Sequence, residues 1–163
     1  MSSLNRLAIW ILVLCIFINL SNRCFAENFE PFLGEVNTES INLRSDSTVN
    51  SEIICKLHKA DKLEVILELY GWYKVKLPKN APVYIKKNLV AASGQNITIG
   101  TALVLKDNVN IRLRPSETAP IIGRANKDEQ IKILEDNGDW YKIEPAANSF
   151  GWVHKRFVNK VIN

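Results

Sequence analysis

Past an apolar opening stretch, hydrophobic and polar residues alternate one for one along much of the chain. Ile41 and Leu43 point one way while Asn42 and Arg44 point the other, and Leu63, Val65, Leu67 and Leu69 form a second period-two face. Farther on, Val109 with Ile111, Ile131 with Ile133, and Tyr141 with Ile143 repeat the pattern. Such alternation predicts half-buried β-strands. Turn formers separate the runs, at Ser45-Asp46-Ser47, Tyr70-Gly71, Pro78-Lys79-Asn80, Arg114-Pro115-Ser116 and Asp136-Asn137-Gly138-Asp139. Beyond the opening stretch no segment sustains the i, i+3, i+4, i+7 stripe of an amphipathic helix, so the expected fold class is all-β.

The strand pattern is duplicated. Asn42 and Arg44 recur 68 positions later as Asn110 and Arg112, and the offset never slips. Ile53-Ile54 maps onto Ile121-Ile122, Leu63-Glu64-Val65-Ile66 onto Ile131-Lys132-Ile133-Leu134, Trp72-Tyr73-Lys74-Val75 onto Trp140-Tyr141-Lys142-Ile143, and Leu89-Val90 onto Phe157-Val158. The expected organisation is therefore two tandem domains, residues 34–90 and 101–158. A small, polar linker at 91–100 joins them, with a short segment at 27–33 before and a tail at 159–163 after. About five short strands per unit must curl to enclose a core, which predicts two small, partly open barrels.

The opening stretch changes the setting. Residues 7–20 are almost wholly apolar, long enough for a secretory h-region and short of the roughly 20 residues that span a bilayer. Cys24-Phe25-Ala26 supplies small residues where a signal peptidase reads, so a signal peptide over 1–26 is expected; an uncleaved anchor helix is the alternative, and only then is the membrane a partner. Neither Cys15 after Leu14 nor Cys24 after Arg23 fits a lipid-anchor pattern. Formal charge is +4 for the whole chain, and loss of Arg6 and Arg23 leaves 19 basic against 17 acidic residues. This near-neutral, exported chain is a poor nucleic-acid binder. Cys55 is left without a disulfide partner.

Ile41-Asn42-Leu43-Arg44-Ser45 and Val109-Asn110-Ile111-Arg112 resemble the L-N-V-R-S opening of bacterial SH3 domains. Gly71-Trp72-Tyr73-Lys74-Val75 and Asp139-Trp140-Tyr141-Lys142-Ile143 resemble the family's G-W-Y-K-V strand, and Gly151-Trp152-Val153 resembles its closing G-W-V. The resemblance implies SH3-like barrels, and attachment to peptidoglycan or another envelope component rather than chemistry. The first copy departs from the pattern at its end, where Val83-Tyr84-Ile85 replaces the glycine-containing closure. A pocket needing close backbone approach there is thus placed in doubt for the first domain.

Catalytic chemistry has few candidates. Cys55, His58 and His154 correspond to Gly123, Asn126 and Lys86, so none belongs to the repeated pattern. Cys55 lies in the apolar run Ile53-Ile54-Cys55-Lys56-Leu57 and reads as a small buried hydrophobe; a Cys55–His58 pair requires a turn between them. Two histidines without acidic neighbours at ligand spacing predict no metal, and no cofactor is expected. The pairs Asp128-Glu129 and Glu135-Asp136 sit in turn-rich segments where carboxylates are solvated, and the Asn96-Ile97-Thr98 sequon matters only in a glycosylating host.

Binding has better candidates. Trp72, Lys74 and Lys76 share one strand face, Trp140 and Lys142 share its counterpart, and Trp152 shares a face with His154. Arg44 and Arg112 point outward, to grip a carboxylate or to pair locally. Indoles flanked by cations suit glycan faces and peptides, although a recurring Trp in so small a barrel also serves packing. The expected function is a non-catalytic module in the periplasm, cell envelope or extracellular space, with peptidoglycan or another envelope polymer as partner. A protein–protein adaptor for an exported partner such as a wall hydrolase is the alternative, and a small Cys55-dependent hydrolase a third reading.

Overall fold

The computed structural model describes residues 29–92 and 100–162. The expected leader with its expected cleavage after Ala26, the sequon and most of the expected linker lie outside the described residues. The fold is all-β, as the alternation predicts. The first repeat supplies β1 (Phe32–Val36), β2 (Ser40–Arg44), β3 (Ile53–His58), β4 (Lys62–Leu69), β5 (Trp72–Lys76), β6 (Val83–Lys86) and β7 (Val90–Ala92). The second supplies β8 (Gly100–Val104), β9 (Val109–Arg112), β10 (Ile121–Ala125), β11 (Gln130–Asn137), β12 (Trp140–Ile143), β13 (Phe150–His154) and β14 (Val158–Lys160). One-turn 3-10 helices at Lys87–Leu89 and Lys155–Phe157 precede β7 and β14. The expected outer segments are shorter than 27–33 and 159–163, because β1 begins at Phe32, β14 runs through Lys160, and β7 and β8 take both ends of the expected linker.

The strands form two curled seven-stranded sheets rather than units of about five, in the orders β14-β1-β4-β5-β13-β2-β3 and β10-β9-β6-β12-β11-β8-β7. Read at the 68-residue offset, the second order is the first reversed, so both sheets share one plan. Neither sheet is built from one repeat. Strand β13 pairs along β5, with His154 opposite Trp72, Trp152 opposite Lys74 and Phe150 opposite Lys76, and meets β2 where Trp152 faces Arg44. In exchange β6 pairs along β12, with Trp140 opposite Lys86 and Lys142 opposite Tyr84, and meets β9 where Tyr84 faces Arg112. The following strands cross as well: β14 pairs with β1 and β7 with β8.

The expectation of two contiguous barrels over 34–90 and 101–158 is therefore corrected: residues 83–92 complete the second sheet and residues 150–160 the first. The crossing points are the connectors 77–82 and 144–149. Each makes one matching turn, Ala81 N–H donating to Pro78 O at 2.9 Å and Ser149 N–H to Ala146 O at 3.0 Å, and then enters the opposite sheet. Pro78, Pro82 and Pro145 stiffen these connectors by fixing φ, a setting in which exchange of identical elements takes little energy.

A second correction concerns β4. Leu63 and Val65 are buried, but Leu67 and Leu69 are 37% and 40% exposed rather than continuing their face. A bulge between Val65 and Leu67 in the pairing with β5 inserts one residue and turns the rest of the strand over; β11 has the same bulge between Ile133 and Glu135. The core is one apolar cluster running through both sheets, with Leu43, Val65, Val75 and Val153 in the first and Val83, Ile85, Ile111, Ile133 and Ile143 in the second, all fully buried. An ion pair of Arg114 with both carboxylate oxygens of Glu52 ties the β9–β10 loop of one sheet to the β2–β3 loop of the other.

Candidate binding grooves

Strand exchange places side chains from both repeats on the face that β5 and β13 share. Trp72 and His154 lie ring to ring at 5.3 Å, and Phe157, from the one-turn helix after β13, stands 6.1 Å from the His154 ring. The Arg156 backbone N–H donates to His154 Nδ1 at 3.3 Å, which fixes the imidazole, while the Arg156 guanidinium lies 4.4 Å from the Phe157 ring. These groups, with Arg44 and Lys56, line a groove of about 490 Å³. Flat aromatic area beside cationic donors suits a sugar or peptide segment carrying a carboxylate.

The equivalent groove of the second sheet, about 390 Å³, has different chemistry. Trp140 is only 8% exposed, Leu89 replaces Phe157 and Asn88 replaces Arg156. At the His154 position Lys86 is ion-paired with Glu117, whose counterpart is Val49. The Lys86 hydrogen bond, then its charge, and more weakly Arg112 hold the Glu117 carboxyl below its usual value. This groove is less aromatic, and the lysine that stands at the His154 position is already paired.

Of the residues singled out from the sequence, Trp72, Lys74, Trp152 and His154 share one face across β5 and β13. Lys74 Nζ lies 4.5 Å from the Phe150 ring centroid and 6.0 Å from that of Trp152. Arg44 and Arg112 instead brace loops, donating from Nη1 to Ser51 O at 2.7 Å and to Ala119 O at 2.8 Å, equivalent bonds in the two sheets. Trp140 packs, and Lys142 lies 3.5 Å from Glu135. Phe150, Arg156 and Phe157 went unnoticed as site residues. Alternation through Trp152 pointed at Phe150, but Phe157 reads as an apolar repeat position and nothing local marks Arg156.

The Val83 departure affects the sheet opposite to the one expected. Gly151 completes the first sheet, where a Cβ would meet Leu43 Cγ at 2.8 Å, and Val83 completes the second. That missing side chain faces the core, on the side of β13 opposite the Trp72 groove, so it changes packing rather than backbone access to a ligand.

Cys55 is half-buried on β3; burial, and then the charge of Asp61, push its thiol from 9.0 up to about 11. His58 lies three residues along the same strand, so it faces the opposite side at a Cα separation of roughly 10 Å. The turn comes only after it, where the His58 backbone N–H donates to Asp61 Oδ2 at 2.8 Å. A Cys55–His58 pair is therefore not formed. Among the described residues no group of three or more His, Cys, Asp or Glu is placed to hold a metal ion.

Comparison with known proteins adds a family likeness. Residues 107–159 match the bacterial SH3 domain family. That span starts before β9 and ends within β14, so its strands are divided between the two sheets. Over 120 residues, 68% of this chain, the sequence is 28% identical to the putative N-acetylmuramoyl-L-alanine amidase YrvJ of Bacillus subtilis (strain 168), and it spans only 23% of that relative's length. A structure of NlpC2 from Trichomonas vaginalis aligns with 81% of this chain and 49% of its own at 18% identity, with a TM-score of 0.28.

Proposed function

We propose that this chain is an exported, non-catalytic module that attaches to cell-wall peptidoglycan through the groove of its first sheet. The observation that carries the reading is the Trp72–His154–Phe157 shelf with Arg156 beside it. The bacterial SH3 match over 107–159 and the likeness to a relative named for a wall amidase support a wall polymer as the ligand, and the apolar run at 7–20 supports export. The first repeat is read as a second bacterial SH3 unit on the strength of its matching strand order. A thiol held protonated by burial and by the Asp61 charge, with His58 on the opposite side of the strand, supports attachment over hydrolysis.

In this reading a sugar ring lies against the Trp72 indole, where its apolar face displaces water, while Arg156 donates to a carboxylate. Retention on purified peptidoglycan tests it. The intact chain is expected to be retained, and Trp72→Ala to lose about tenfold in affinity, the effect of removing an aromatic anchor. Equal retention of the variant, or capture of a single protein with no affinity for polymer, overturns the assignment; the latter outcome favours the adaptor.

A further inference from the structure

Exchange of the strands also creates a cleft of about 410 Å³ between the two sheets, distinct from the grooves described above. One wall is the first part of β13, carrying Phe150 and Trp152 with Lys74 against both rings. The other wall is β10, contributing Arg124. The Arg124 Nε donates to Asn110 Oδ1 at 3.3 Å, and among the described residues neither Arg124 nor Lys74 has a carboxylate within 4.0 Å.

Asn148 of the connector 144–149 also lines the cleft. The connector approaches β10 closely because Gly123 lacks a side chain: a Cβ there would fall 2.6 Å from Ser149 Oγ and 2.7 Å from Asn148 O. Ser149 is 1% exposed, and its Oγ is a buried side-chain polar atom without a hydrogen-bond partner. The counterparts of Gly123, Phe150 and Trp152 at the 68-residue offset are Cys55, Pro82 and Tyr84, so this residue set occurs once in the molecule.

Two cations lacking acidic partners favour an anionic ligand, an aromatic wall favours a ring with an apolar face, and an amide side chain offers both a donor and an acceptor to hydroxyls. We propose that the inter-sheet cleft binds a carboxylate-bearing sugar unit, in a wall polymer the muramic unit freed of its amide-linked peptide, as a second subsite on the face of β13 that also carries the Trp72–His154 groove. From His154 to Phe150 the track along β13 covers roughly 13 Å, so one polymer strand engages both ends and gains effective concentration. The polymer identity rests on the function proposed above; the chemistry of the cleft stands without it.

The test uses the intact chain labelled with 15N, titrated separately with N-acetylmuramic acid, which carries a carboxylate, and with N-acetylglucosamine, which does not. The acidic sugar is expected to shift the Trp152 indole N–H and the Asn148 side-chain amide, with the neutral sugar about tenfold weaker there. Arg124→Gln should abolish that preference while leaving the Trp72 indole N–H unshifted in the free protein. No shift at Trp152, an equal response to both sugars, or a preference that survives Arg124→Gln each overturns the subsite. Failure of the groove reading appears elsewhere, as undiminished retention of Trp72→Ala on polymer.

Discussion

Gly151 shows how a single missing side chain is absorbed by its neighbours. A Cβ at this position would meet Leu43 Cγ at 2.8 Å, Leu43 Cδ1 at 3.0 Å and Ile54 Cδ1 at 3.1 Å, whereas the second sheet combines Val83 with Ile111 and Ile122. Leu43 fills in one sheet the space that Val83 fills in the other. Gly151→Ala is therefore expected to destabilise the protein by about 1–3 kcal/mol, the usual range for overpacking, as measured by urea unfolding. An unchanged midpoint would show that Leu43 moves freely. At Cys55 burial favours the neutral thiol. Its contribution to stability is fully present below pH 9.0 and is lost as pH rises through about 11. The Cβ carbon shift of Cys55, followed by NMR as pH rises, should change with a midpoint near 11 in the folded chain, and a midpoint at the ordinary thiol value would contradict the burial.

At the scale of elements, alternation located the strands and the constant offset located the repeat, because each is a local or translational property of the chain. Leu67 and Leu69 were misplaced because a bulge changes the face of a strand without altering its composition. Exchange was hidden for a different reason. Strands β6 and β13 occupy equivalent repeat positions with equivalent alternation, so the pattern alone does not say which sheet each completes; the connectors, and the fit of Gly151 against Leu43, do. Of the site, the faces of Trp72 and Trp152 were legible, but their junction through β13 was not. The exchange predicts that Lys76→Cys with Phe150→Cys, on a Cys55→Ser background, oxidises to an intrachain disulfide in the monomer, because these positions face each other across β5 and β13. A chain of two contiguous barrels would not form it, and peptide mapping distinguishes the outcomes.

At the scale of the whole molecule, the crossed segments make the two sheets interdependent. Residues 83–92 leave the second sheet when the first repeat unfolds, and residues 150–160 leave the first when the second does. A single calorimetric transition is expected, with van't Hoff and calorimetric enthalpies equal, whereas independent barrels would give two. The same interdependence makes the groove a joint product of the repeats, since Trp72 comes from one and His154 and Phe157 from the other. The most direct measurement is a double-mutant cycle on peptidoglycan affinity with Trp72→Ala, His154→Ala and the pair. A shared groove predicts that each single change weakens binding and that the double variant loses less than the sum, with a coupling of about 0.5–1.5 kcal/mol. Strictly additive losses, or affinity indifferent to either residue, would contradict it.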